Sequence, residues 1–162
     1  MKKDKWEKAA MKVITATATT SEKGPLTRLV EAYSEAVARL AARGVSSPAD
    51  WEPLTEYIAR DEFKRVGAYL EELDWDQYCR FMTEWVGGGT RFEMTMFRIT
   101  EAGRVVIQEI EERHYRGDEF IRKNVIALYT FNDQNKIAHL DIYEQAKDSG
   151  RWIMEAADAA MA

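Results

Sequence analysis

One stretch of the sequence concentrates side chains that could carry acid–base chemistry. RVVIQEIEERHYRG, residues 104–117, has three branched apolar residues after its arginine and then carries charged residues and a histidine without a turn residue before Gly117. The apolar opening predicts a β-strand, in which alternate side chains share a face. Carboxylates buried side by side in a pocket acquire separated pKa values, so that one can act as a general acid and the other as a base.

The two faces of this predicted strand carry different charged residues. Glu109, Glu111 and Arg113 lie on one side, and Glu112 and His114 lie on the other. Periodicity alone does not say which side faces a pocket.

A second acid and a second histidine share a face of the last predicted strand, AHLDIYE. His139 and Asp141 stand two residues apart there, so a carboxylate–imidazole contact can form between them. Tyr57 and Tyr143 each carry a hydroxyl that can donate a hydrogen bond to a substrate oxygen, although core packing is the commoner role of such tyrosines.

The same charges also fit an exposed ladder on a sheet with one wet face. If the RGD turn holds three residues, Tyr115 pairs with Glu119, and Glu111 lies opposite Lys123. A cross-strand ion pair of this kind contributes well under ~1 kcal/mol when it is exposed. The charge pattern leaves both interpretations open.

Composition restricts the classes of protein to which the chain can belong. Its 162 residues suit one domain, and 46% hydrophobic with 31% charged residues is ordinary for a globular protein. A net charge of -5 argues against a nucleic-acid partner, because phosphates require a concentrated basic surface. No apolar run reaches the roughly 20 residues of a membrane helix, so no membrane contact is expected.

Cysteine usage and motifs narrow the chemistry further. Cys79 is the only cysteine, which excludes an internal disulfide and a cysteine zinc cluster. The sequence has no phosphate-binding glycine loop, dinucleotide fingerprint, HExxH motif or calcium loop, so neither a metal nor a cofactor is expected. The lysine-rich start lacks the apolar block of a signal peptide, and a cytoplasmic location is the expectation.

Helical patterns occupy the first half of the chain. Residues 1–25 predict a flexible N-terminal extension, followed by a single domain over 26–162. Ser47 and Asp74 have the side chains and positions of helix N-caps. Apolar residues at helical spacing predict three helices, over 26–43, 48–60 and 75–86.

The second half of the chain reads as consecutive strands. Four β-patterned segments lie within residues 90–144, separated by the turn signals EAG, RGD and NDQN. The tail DSGRWIMEAADAAMA predicts a terminal helix. Helices followed by an antiparallel meander indicate the α+β class, with N-terminal helices packed on a strongly bent sheet.

This order of elements resembles the SnoaL-like branch of the nuclear transport factor 2-like superfamily over about residues 26–145. The segments that carry the likeness are LTEYIARDEF, WDQYCRFMTEW and NKIAHLDIYEQ. The resemblance implies a cone-shaped α+β barrel in which three helices close over the bent sheet and leave a deep pocket.

A more distant similarity to limonene-epoxide hydrolases implies where a site would lie. That group carries an acid and, two positions earlier, an arginine on one strand, with a second acid on the closing strand. The match puts Glu111 and Asp141 at the two acid positions and Glu109 at the arginine position. Arg113 or Lys123 is then the candidate to replace that arginine.

The resemblance implies a cofactor-free acid/base enzyme of the isomerase, epoxide hydrolase, dehydratase or cyclase type. Its expected substrate is a small, apolar, oxygen-containing molecule of terpenoid, steroid or polyketide kind. A non-catalytic ligand-binding or dimerisation module of the same fold is the alternative. The expected catalytic residues are Glu111, Asp141 and His139, and the expected substrate-binding residues are Glu109, Arg113, Lys123, Tyr143, Tyr57, Trp85 and Phe81.

The face of the sheet away from the pocket is expected to form a homodimer, because three helices cannot cover both faces of so broad a meander. In this register Glu112 and His114 point outward, and His114 serves a surface or dimer contact. The apolar residues assigned to the outward face are Val106, Ile110, Ile126, Leu128, Leu140 and Ile142.

Overall fold

A computed structural model describes residues 11–15 and 23–145. The helices of this part are α1, Pro25–Arg43, a 3₁₀ helix, Pro48–Glu56, and α2, Trp75–Gly87. The strands are β1, Met11–Thr15, β2, Lys64–Val66, β3, Glu72–Leu73, β4, Arg91–Ala102, β5, Val105–Arg116, β6, Glu119–Phe131, and β7, Ile137–Gln145.

The strands form one seven-stranded mixed sheet in the order β1-β4-β5-β6-β7-β2-β3. Strands β4 to β7 are the predicted antiparallel meander, whereas β1 joins β4 and β2 joins β7 in parallel. The predicted α+β class is confirmed. The sheet is open rather than closed, because β1 and β3 remain at its two edges.

The polar residues predicted as N-caps begin two of the helices. Ser47 Oγ accepts a hydrogen bond from the Ala49 N–H at 3.2 Å, and the Asp50 carboxylate accepts one from the Ser47 N–H at 3.0 Å. Asp74 and Gln77 form the same reciprocal capping box at the start of α2, with both bonds at 2.8 Å. Both predicted caps are confirmed.

The second predicted helix, over 48–60, is shorter and of a different type. It is the 3₁₀ helix and ends at Glu56, and Pro53 lies inside it. Proline has no N–H to donate, which interrupts a regular α-helical ladder at that point. The chain leaves this helix and returns to the sheet through Ile58, which bridges to Ile137.

Two further predictions concern the ends of the chain. The segment Met11–Thr15 lies in the predicted flexible extension but is strand β1, which corrects that prediction for these five residues. The predicted terminal helix over 148–162 lies outside the described residues. None of the described helices has the length and hydrophobicity needed to cross a membrane.

The main hydrophobic core lies between the helices and one face of the sheet. Trp51 and Leu54 of the 3₁₀ helix and Val30 of α1 are fully buried there against Val106 and Ile137 of the sheet. A second cluster extends the core along the same face toward the end of α2 and contains Phe92, Met94, Met96, Ile110 and Val125. We call this helix-covered side of the sheet the inner face and the opposite side the outer face.

An extra residue in β4 changes which side chains of that strand point inward. The pairing with β5 shifts between Met96 and Arg98, so Phe97 is a β-bulge. Alternation restarts after the bulge and brings Glu101 to the inner face, where its carboxylate accepts a hydrogen bond from the Thr27 N–H at 2.8 Å. This contact caps the start of α1, where the N-cap residue Gly24 has no side chain to do so.

Candidate functional site

The hairpin between β5 and β6 sets the register of the charged strand. Its loop holds two residues, Gly117 and Asp118, and Arg116 pairs directly with Glu119. Gly117 has φ 59°, a left-handed conformation that suits glycine. Lys123 therefore lies opposite Glu112 and not opposite Glu111, which corrects the register expected from a three-residue turn.

The even-numbered residues of β5 face the helices. Val106 and Gln108 are buried in the core, and Ile110 belongs to the second cluster on the same face. Strand alternation then puts Glu112 and His114 on the inner face as well. The expectation that these two residues point outward is wrong.

A cavity of about 290 Å³ opens where the inner face meets the end of α2. Its wall combines apolar and ionisable side chains, namely Phe81, Trp85, Thr90, His114, Arg116, Glu119, Ile121 and Lys123. Three large apolar side chains and five polar or ionisable ones therefore meet at one concave surface, as the mixed walls of small-molecule sites require.

A row of alternating charges crosses the inner face beside this cavity. The Lys123 ammonium of β6 lies 3.7 Å from the Glu112 carboxylate of β5 and also binds the Glu144 carboxylate of β7. The side chains of Glu112, Lys123 and Glu144 are 18%, 19% and 14% exposed, so solvent screens them less than a surface pair. The cation on the middle strand therefore binds one carboxylate from each of the two neighbouring strands.

His114 extends this row into the cavity wall. Its Nε2 lies 3.0 Å from the nearer Glu112 carboxylate oxygen. The imidazole packs edge-on against Trp85 and Phe92, with ring centroids 5.9 and 5.0 Å away. Aromatic packing on two sides and a carboxylate on one nitrogen fix the orientation of the ring.

Polar groups also lie deep beneath the helices, at the far end of the inner face from the cavity. The Tyr129 hydroxyl donates to the Gln108 side-chain oxygen at 3.2 Å, and Gln108 is only 1% exposed. Burial raises the pKa of Tyr33, Tyr78 and Tyr129, which keeps their hydroxyls protonated. Within the described residues, the Tyr33 hydroxyl and the Gln108 amide nitrogen are buried without a hydrogen-bond partner.

The three predicted catalytic residues lie on the outer face. Glu111 binds the guanidinium groups of Arg113 and Arg122, the latter through Nε at 2.7 Å. His139 Nε2 and Asp141 contact each other at 3.1 Å, as predicted, but on the side of β7 away from the cavity. Because Leu140 is buried in the core, its neighbours at 139 and 141 must point outward.

The predicted substrate-binding residues divide between the two faces. Glu109 pairs with Arg98 at 2.9 Å, and Arg113 binds Glu93 at 3.3 Å, both on the outer face. Tyr143 is 59% exposed there.

Four predicted residues lie on the helix side instead. Lys123, Trp85 and Phe81 line the cavity. Tyr57 packs against the core with its ring centroid 6.2 Å from that of Tyr33.

The apolar residues expected to support a homodimer are also divided. Strand alternation leaves only Ile126 and Leu128 on the outer face. The other four face the helices, namely Val106, Ile110, Leu140 and Ile142. The homodimer stays a prediction, with Phe97, Phe120, Ile126 and Tyr143 as its exposed apolar residues.

The outer-face charges make a pH-dependent contribution to stability. Desolvation acts to raise the pKa of the Glu111 carboxyl, but hydrogen bonds from Arg113 and Arg122 outweigh it and hold that pKa below the usual value. A lowered folded-state pKa stabilises the protein above the unfolded value of about 4.5, and this stabilisation disappears as the pH falls through the folded value.

We therefore expect Glu111→Gln to lower the free energy of unfolding at about pH 7 and to match the wild type in strong acid. Urea titrations of both proteins at several pH values measure the gap. Glu35→Gln, at a largely exposed helix position, is the control for the substitution itself. A gap that stays constant down to strong acid would contradict the assignment of the ion pair.

Sequence reasoning missed three residues of the charge row beside the cavity, namely Glu112, His114 and Glu144. The odd and even residues of β5 are almost equally apolar at the start of the strand, so burial could not choose between the faces. One signal was present. Gly-Asp is a common two-residue hairpin loop, and that loop length gives the observed pairing of Glu112 with Lys123.

Comparisons with solved structures agree with this architecture. A protein named as a SnoaL-like polyketide cyclase from Shewanella denitrificans OS-217 superimposes with a TM-score of 0.60 at 10% identity, covering 86% of this chain and all of that one. An LEH-like epoxide hydrolase from M. tuberculosis gives a TM-score of 0.59 at 15% identity, over 85% of this chain and 96% of its own. The fold is that of the nuclear transport factor 2-like superfamily.

The nuclear transport factor 2-like fold is shared by a further solved structure, the BvnE pinacolase from Penicillium brevicompactum. It covers 84% of this chain and 94% of its own at 12% identity, with a TM-score of 0.59. No family model and no curated protein matches the sequence. At these identities the likeness establishes the fold, and the chemistry must be argued from the residues of this chain.

Proposed function

We propose that the protein is a cofactor-free acid/base enzyme that acts on a small, apolar, oxygen-containing molecule bound in the inner-face cavity. The observation that carries the proposal is the His114–Glu112 contact of 3.0 Å at the cavity wall. Imidazole exchanges protons near neutral pH, and a carboxylate on one of its nitrogens is the usual way to orient it. The reaction is an isomerisation, epoxide opening, dehydration or cyclisation.

His114 is the proposed proton carrier. When its Nε2–H donates to Glu112, its Nδ1 is the unprotonated nitrogen that can accept a proton from the substrate or from a water. The carboxylate stabilises the imidazolium that forms, and the proton can then be returned to another substrate atom. Trp85 and Phe92 hold the ring in one plane, so the accepting nitrogen keeps its position.

Lys123 is the proposed organiser of the two carboxylates. It corresponds in kind to the arginine between two acids that the resemblance to limonene-epoxide hydrolases implies, but its partners are Glu112 and Glu144. The row therefore has the expected acid–cation–acid order, with Lys123, one of the two candidates for the cation, between acids other than the expected Glu111 and Asp141. The names of the similar structures, which include a cyclase, an epoxide hydrolase and a pinacolase, support a search among such reactions.

A turnover screen with a matched pair of variants tests the proposal. Epoxides, enones and hydroxy-ketones of terpenoid or polyketide size are the compounds to screen. Glu112→Gln should abolish most turnover of any substrate found, whereas its neighbour variant Glu111→Gln should retain it, because only Glu112 contacts His114. Equal loss, or loss only in Glu111→Gln, would refute the inner-face site.

Ligand binding without turnover is a second candidate function. It is favoured by the mutual pairing of Glu112, Lys123 and Glu144, which offsets their charges without a substrate. In that case a compound from the same screen would bind without being converted to a product. Glu112→Gln would then alter the binding affinity, and no turnover would be detected in either protein.

A further inference from the structure

We propose that the rim of the cavity contains an anion subsite built around Arg116, which binds the carboxylate of an amphipathic ligand whose apolar part fills the cavity. The inference rests on the proposed function only in placing the apolar part of the ligand in the cavity. Arg116 and Thr90 both line the cavity, on β5 and just before β4.

Arg116 is held in place through one edge of its guanidinium. Its Nε donates to Thr90 Oγ at 3.0 Å. Thr90 is only 8% exposed, and in the described part of the chain its hydroxyl hydrogen is given to no acceptor. The Thr90 hydroxyl and the two terminal guanidinium nitrogens of Arg116 therefore remain as hydrogen-bond donors for a ligand. A carboxylate can accept bidentate hydrogen bonds from such a set of donors.

Gly88 makes room for this guanidinium. A Cβ at Gly88 would lie 2.4 Å from Arg116 Nη2 and 2.9 Å from its Cζ. The backbone of Gly88 has φ -71°, which any residue adopts, so the glycine is needed for space and not for its conformation. The GGG sequence at residues 87–89 begins at the last residue of α2, and its middle glycine leaves the space that the Arg116 guanidinium occupies.

The other cation of the cavity is already occupied. Lys123 is bound by Glu112 and Glu144. Arg116, in contrast, has no carboxylate within 4.0 Å among residues 11–15 and 23–145. Glu119 also lines the cavity opposite Arg116 in the hairpin and lowers the local positive potential, but it makes no ion pair with Arg116.

The rest of the wall suggests the ligand class. Phe81, Trp85 and Ile121 provide an apolar surface next to the guanidinium. A ligand with a hydrocarbon or aromatic body and one terminal carboxylate satisfies both parts of the wall.

Binding of two matched probes tests the subsite without any need for turnover. The probes are 4-phenylbutyrate and 4-phenylbutan-1-ol, and calorimetry measures the affinity of each for the full-length protein. We expect the wild type to prefer the carboxylate on the order of tenfold, and Arg116→Gln to remove this preference while alcohol binding persists.

Two glycine variants distinguish the position of the Arg116 guanidinium from the mere presence of its charge. Gly88→Ala keeps Arg116 but displaces its guanidinium, so it should also lose the preference for the carboxylate. Gly87→Ala is the control, because a Cβ there meets nothing within 4 Å, and it should keep the preference.

A wild type that binds both probes equally, or an Arg116→Gln or Gly88→Ala variant that keeps the preference, would overturn the anion subsite. Failure of the acid/base proposal appears in a different measurement, namely the turnover of Glu112→Gln. Either idea can therefore fail while the other stands.

Discussion

Replacing His114 with asparagine is expected to lower turnover by a factor on the order of 10²–10⁴ while the protein still folds. Asparagine keeps a polar side chain of similar size beside Glu112, but it cannot take up or release a proton. The loss should appear in kcat, because the ring is proposed to act in the chemical step and not in binding the ground state.

His139→Asn is the matched control for this experiment. His139 also contacts a carboxylate two residues away on its strand, at 3.1 Å, but on the outer face. Its replacement should leave turnover within about twofold of the wild type, since the outer-face pair cannot reach the cavity. A large loss in His139→Asn with full activity in His114→Asn would reverse the assignment of the two faces.

Replacing Trp51 with alanine should cause the largest loss of stability, about 3–5 kcal/mol in the free energy of unfolding. Trp51 is fully buried where the 3₁₀ helix meets the core, and its Nε1–H donates to Thr83 Oγ of α2 at 3.0 Å. Alanine would leave a large cavity and remove the link between the two helices. For a chain of this length such a loss lowers the melting temperature on the order of 10 °C.

Urea and thermal unfolding measure this effect, with two comparison variants. Trp51→Phe loses the hydrogen bond but keeps most of the buried apolar volume, so it should cost distinctly less than alanine. Tyr69→Ala, at a position that is 89% exposed, should change the free energy of unfolding by no more than about 0.5 kcal/mol. Equal effects in Trp51→Ala and Tyr69→Ala would mean that the 3₁₀ helix contributes little to the core.

The elements of this fold were largely predictable because their signals are local. Asp74 and Gln77 begin α2 because each side chain binds the backbone N–H of the other residue. Such a capping box lies within four consecutive residues and can be recognised in the sequence. The same holds for Gly44, which ends α1 with φ 88°. The 3₁₀ geometry of the second helix was not foreseen, although Pro53 was visible as its cause.

The site was harder to predict because it depends on which face of a strand is inward. A shift of the strand by one residue moves every side chain to the opposite face, so Glu111 and Glu112 exchange places. The burial of Val106 and Gln108 decides the choice. The core that contains Val106 includes helix residues more than 50 positions away in the chain, such as Val30 and Trp51. Spacing did predict the contact between His139 and Asp141, although on the other face of the sheet. The same two-residue spacing joins Glu112 and His114, a contact that was not predicted.

The bulge in β4 adds a difficulty that spacing cannot overcome. Before Phe97 the inward residues are even-numbered, and after it they are odd-numbered. A strict two-residue period would therefore have pointed Glu101 away from the helix that it caps. Only the pairing with β5, fixed by a turn farther along the chain, reveals the extra residue.

Strand β1 also covers an edge of β4 that could otherwise pair with another molecule of the same protein. It pairs in parallel with β4 from Phe92 to Met96, a regular segment in which aromatic and sulfur-containing side chains alternate with polar ones. Without that cover, the backbone N–H and C=O groups of this segment would be open to a strand from another molecule, the usual first step of aggregation. With β1 in place, the open edge on this side of the sheet is a strand of only five residues, and a very short edge strand offers little backbone for another molecule to pair with. Shortening the protein past residue 15 would expose the edge of β4 itself, whereas no residue of β1 lines the cavity.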